Sequence, residues 1–127
     1  MRLSREDFLK ADDIVTEEVD LSDIKGYNGS ILVRGLTGAE RDAWIGGLSR
    51  QVGNKVVRNT ANATAKLVAL CCVDDDGNRL FTDLDVVALG KKSGQALDRV
   101  FEVAQRLSGL SDDDVREAEG NSEAIQS

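Results

Sequence analysis

Cys71 and Cys72 are the best nucleophiles in the chain, and they are adjacent. With no His among 127 residues, neither a Cys–His nor a Ser–His pair can form, and the commonest general base near neutral pH is missing. Two thiols without imidazole fall short of the three or four protein ligands that zinc needs. A disulfide framework needs distant cysteines, and a bond between neighbours strains the geometry a disulfide demands. The pair therefore reads as two reduced, small apolar residues closing the uncharged run 67–73. Asp74-Asp75-Asp76-Gly77 invites a calcium loop. Placing Gly77 at the sixth loop position puts Cys72 first, Arg79 eighth and Asp83 twelfth, so the first ligand is absent and the bidentate Glu is replaced by a shorter Asp. A solvated turn fits better. In Gly90-Lys91-Lys92-Ser93 a phosphate loop would require Ser or Thr at 92 and Gly at 85, where the chain has Lys92 and Asp85. That segment reads as a helix end followed by a basic turn. No catalytic residue, metal site or cofactor is expected, and the chain reads as a non-enzyme.

The bulk composition points the same way. Lys and Arg number 16 against 23 Asp and Glu, a formal net charge of −7, which argues against nucleic-acid binding as a main role. At 41% hydrophobic and 4% aromatic, the chain can build a core of Leu, Val, Ile and Ala. The charge is uneven: residues 1–23 are net −5, 24–69 net +5 and 70–127 net −7. Such a basic middle between acidic ends favours head-to-tail contact between copies, although caps and solvated faces account for much of it. The N-terminus turns acidic before any apolar stretch, and no run approaches the roughly 20 residues that span a bilayer. A soluble protein of a reducing cytoplasm, without a membrane partner, is the expectation.

The elements that must position these residues start with Ser4 and Asp7, spaced to cap a brief helix. Strand-like runs on either side of Asn28-Gly29 suggest a β-hairpin over about 16–35, because Asn-Gly supplies the positive φ of a tight turn. Thr37 and Glu40 form a capping box for a helix through Arg41, Trp44, Ile45 and Leu48, and Gly46-Gly47 means either that it ends near there or that another backbone packs closely against it. Residues 49–62 have weak periodicity and read as a mobile loop, and the apolar stretch from Ala63 to about Val73 as a buried central helix. A tiny hairpin or a tight connection at 74–81 follows. Thr82 with Asp85 caps a short helix that stops at Gly90, and Ser111 with Asp114 caps a last acidic one. Between them Leu97, Val100, Phe101, Ala104 and Leu107 make one apolar stripe at helical spacing. The expected fold is α+β: one mostly helical small domain over 1–118 with an N-terminal β-hairpin at about 16–35, helices over about 37–118, and a flexible tail at 119–127.

Without a reaction centre, the candidate functional residues are those that could bury a partner. Trp44 is the only Trp and is either a packing anchor or an interface hot spot. The stripe residues Leu97, Val100, Phe101 and Leu107 are either core or a partner-binding surface.

Several segments, in order, carry a resemblance. Ala11-Asp12-Asp13-Ile14-Val15-Thr16-Glu17-Glu18-Val19 leads to Val33-Arg34-Gly35-Leu36-Thr37-Gly38-Ala39-Glu40-Arg41-Asp42. Then come Leu67-Val68-Ala69-Leu70-Cys71, Val73-Asp74-Asp75-Asp76-Gly77-Asn78-Arg79-Leu80-Phe81, and the segment from Asp98 to Leu110. Over roughly residues 11–118 the chain resembles the tail assembly chaperones of long-tailed bacteriophages and prophages of actinobacteria. The resemblance implies a non-enzymatic factor that coats the tape-measure protein in the host cytoplasm and promotes tail tube assembly. It also implies a frameshifted longer form that recruits the tail tube protein, and absence from the mature virion. Self-association is compatible with it. A virion structural or connector protein of the tail is the alternative.

Overall fold

A computed structural model describes residues 1–118; the tail expected at 119–127 lies outside the described residues. The fold is α+β with an N-terminal hairpin, as the sequence patterns indicate. Strand β1 (Thr16–Asp20) pairs antiparallel with β2 (Ser30–Arg34), in a register that sets Glu17 opposite Val33 and Val19 opposite Ile31. These four share one face, since side chains alternate along a strand. Helix α5 (Gly94–Ser108) lies across that face, and its Arg106 pairs with Glu17 at 2.8 Å. Val19, Val33, Val100, Phe101 and Ala104 meet in the core between them. The amphipathic stripe is thus the seam that joins helix to sheet.

Helix α3 (Ala63–Cys71) runs through the centre, with Leu67 and Cys71 fully buried. It does not continue to Val73. Cys72-Val73 forms a short strand, β5, which adds to β2 and gives the sheet order β1-β2-β5. The turn after it is a miniature hairpin, in which the Asp74 carboxylate accepts from the backbone N–H groups of Asp76 and Asn78 and Gly77 takes a φ of +85°. A single-turn 3-10 helix (Asp83–Asp85) and α4 (Val86–Gly90) cover the other side of α3, where Val86 packs on Ala65 and Ala69. Helix α2 (Gly38–Gly46) follows β2 directly, and α6 (Asp112–Ala118) closes the described chain. At the other end, α1 (Arg5–Lys10) is capped by Ser4 and Asp7 and buries no residue.

Three expectations need correction. The first hairpin has no tight Asn28-Gly29 turn. Strand β1 ends at Asp20, and the connection 21–29 folds inward because Leu21 and Ile24 are core residues. Helix α2 ends at Gly46, the first of the two readings of the glycine pair, so only its extension to Leu48 is corrected. Residues 49–58 are no loop: Ser49–Val52 (β3) and Lys55–Arg58 (β4) form a second antiparallel hairpin. Gly53 has a φ of +61° and Asn54 none above zero, as a two-residue type II′ turn requires.

Two close contacts lock the first hairpin to α5. The Leu36 N–H donates to the Ser108 hydroxyl at 2.9 Å in the interior. Next to it, a Cβ on Gly35 would lie 2.4 Å from the Leu107 carbonyl oxygen, so only glycine allows this approach.

Candidate functional site

A groove of about 600 Å³ opens between α2, the start and middle of α3, and the turn into α4. The capping box sets its first wall. The Thr37 side chain accepts from the Glu40 N–H while Glu40 accepts from the Thr37 N–H, which fixes the helix start and turns Ala43, Trp44 and Gly47 toward the cleft. Trp44 is only 5% exposed. Its indole N–H donates to the Ala63 carbonyl at 3.1 Å, and its ring meets Phe101 at a centroid distance of 6.2 Å. The tryptophan therefore pins α2 to the first turn of α3 and supplies the floor. Ala63, Lys66 and Leu70 form the α3 wall, Val86 and Val87 the opposite rim, and Leu48 and Asn59 the end nearest the second hairpin. Asn62 enters α3 in the left-handed region, at φ +57°, a conformation Asn tolerates better than most residues.

The lining is chiefly apolar, with charge at three places only: Glu40, Lys66 and Asp83. Glu40 is already committed. Arg34 grips both its oxygens at 2.8 Å, and this bidentate pair, helped by the Thr37 backbone, holds the carboxyl down to about 2. It is an anion at any physiological pH and offers no proton. No hydroxyl or thiol nucleophile lines the groove among the described residues. Both cysteines are buried elsewhere, and loss of solvation pushes Cys71 up to about 11 and Cys72 up to about 12, so neither supplies a thiolate at neutral pH. Among the described residues no cluster of three or more His, Cys, Asp or Glu is placed to hold a metal, and no helix is long and apolar enough to cross a membrane. Such an arrangement can bury apolar groups of a partner.

Of the residues expected to bind a partner, Trp44 alone lines the groove. Val100 and Phe101 are buried in the core, and Leu97, half-buried, packs against it. Leu107 is half-buried too, with its backbone against Gly35. The stripe is used for folding, because a sheet whose one face is apolar must be covered. The sequence reading missed Leu48, Asn62, Leu70, Val86 and Val87. Only Val86-Val87 carried a local signal, since consecutive valines in so short a helix cannot both point inward; Val87 is 61% exposed. No protein-family model matches the chain, and neither does any curated protein or solved structure.

Proposed function

We propose that this chain is a non-enzymatic tail assembly chaperone of a long-tailed bacteriophage, a holdase that coats the tape-measure protein until tail tube subunits replace it. The observation that carries the proposal is the groove: an open, chiefly apolar trough with a charged rim. A long helical client presents many similar apolar side chains rather than one motif, and an aliphatic trough accepts such variety. Many weak contacts along one client add up through effective concentration. The ordered segments quoted above support the same assignment. The working site is the host cytoplasm, and a frameshifted longer form brings in the tail tube protein.

Co-expression with the tape-measure protein tests this. The chain should keep its client soluble and co-purify with it, and A43E/V87E, which charges the trough at two exposed positions on separate walls, should release it. A client equally soluble with the variant would overturn the reading. Mass spectrometry of purified particles decides against the alternative, since a connector is present in them at fixed stoichiometry and a chaperone is absent.

A further inference from the structure

Two segments of this chain carry opposite charge beside strand edges that are open among the described residues. Residues 12–20 hold five carboxylates and no cation, and residues 49–58 hold three cations and no carboxylate. The acidic segment ends in β1, which is the outer strand of its sheet. The Gly35 N–H donates to Val15 and the Leu21 N–H to Gly29. In an antiparallel ladder this alternation turns the backbone groups of Thr16 and Glu18 outward, and they have no partner among the described residues. The basic segment is the β3–β4 hairpin, which pairs with no other strand among the described residues. Its register places Arg50 opposite Val57 and Val52 opposite Lys55, so two cations and two valines share one face. Arg50 and Lys55 form no ion pair among the described residues, and Val52 is about half exposed. A lone two-stranded ribbon is marginal in water and gains most from a further strand.

Charge decides which strand that is. An acidic edge repels a second acidic edge, and a basic hairpin repels a second hairpin, because like charges opposite each other destabilise a strand pair. Only the crossed pairing remains. We propose that the β3–β4 hairpin of one copy adds to the acidic β1 edge of the next, joining copies of this chain head to tail. Donor and acceptor surfaces differ, so the contact repeats, and it closes into a ring or runs on as a filament. The inference is independent of the tail-assembly reading and concerns the purified chain alone.

Sedimentation velocity over a range of concentrations tests it. At low salt the mass should grow beyond a dimer with concentration. It should collapse to monomer near 1 M salt, where the screening length is about 3 Å. A hairpin-blocked variant, R50E/K55E, and an edge-blocked variant, D13K/E18K, should each be monomeric alone. Mixed, they should associate, since each retains one working half and the reversed halves carry opposite added charges. Matched circular-dichroism melts establish that both fold, and R50Q/K55Q with D13N/E18Q replaces any that does not. A wild type that stays monomeric, single variants that still assemble, or a mixture that does not pair would each overturn the proposal. So would a monomer whose hairpin cations instead shift nucleic acid in a gel at low salt.

Discussion

Among the described residues, two antiparallel hairpins of similar length are held by different forces. The first, β1–β2, is covered by α5, extended by β5, and fastened by the buried Leu36–Ser108 hydrogen bond and the Gly35–Leu107 contact. Its Val33 is fully buried. The second, β3–β4, has a well-formed turn but a single half-buried residue, Val57, and Val56 on its other face is 70% exposed. Strand pairing alone does not stabilise a ribbon; burying one of its faces does. The first hairpin is therefore part of the global folding unit, and the second is an appendage that opens locally.

Gly35→Ala should break the contrast most. The added methyl collides with a backbone carbonyl that cannot rotate away, and we expect a loss of about 3 kcal/mol in urea denaturation. A loss below about 0.5 kcal/mol would mean that strand and helix do not approach as described. Ser108→Ala leaves the buried Leu36 N–H without an acceptor and should cost about 2 kcal/mol. Glu40→Gln should cost about 1–2 kcal/mol at pH 7 by weakening the Arg34 pair and the capping box. The Glu40 carboxyl is held at about 2 in the fold against an ordinary 4.5. Its contribution is thus complete above pH 4.5 and is lost as pH falls toward 2, so wild type and variant should converge in acid. A difference independent of pH would point to packing instead.

Cys71 and Cys72 report on the opening of the first sheet through their reactivity. Cys72 pairs with Val33, so its thiol reacts only when the first sheet opens. With both thiols far above their ordinary range, a thiol reagent at pH 8 should label native protein no faster than it unfolds. The smallest effect belongs to Val56→Thr, which should change global stability by less than about 0.5 kcal/mol. In the monomer, at high salt, β3–β4 amides should exchange hydrogen well before those of β1–β2.

Local chemistry was readable wherever it acts over three or four residues. The pairs Ser4/Asp7, Thr37/Glu40, Thr82/Asp85 and Ser111/Asp114 all cap as their spacing predicts, because a cap needs only its own turn. Turns were harder. Asn28-Gly29 lost its tight turn to the burial of Leu21 and Ile24, a tertiary effect invisible in the dipeptide. Residues 49–58 read as part of a loop because they bury almost nothing and so show no hydrophobic alternation. The groove was legible only in Trp44. Leu48, Asn62 and Val87 come from three separate elements, and no pattern along the chain announces that they converge.

The Leu36–Ser108 bond has a consequence for the order in which the protein is made. Its partners are separated by 72 positions, and nearly all of α5 lies just before the second of them. At a synthesis rate of about 5–20 residues per second, the first hairpin leaves the ribosome about 4–14 seconds before the helix that covers it is complete. During that interval the apolar side of Val19, Ile31 and Val33 faces the cell uncovered. The last long helix is thus the step that commits the nascent chain, and a ribosome stalled short of residue 108 holds a sheet that has not yet closed.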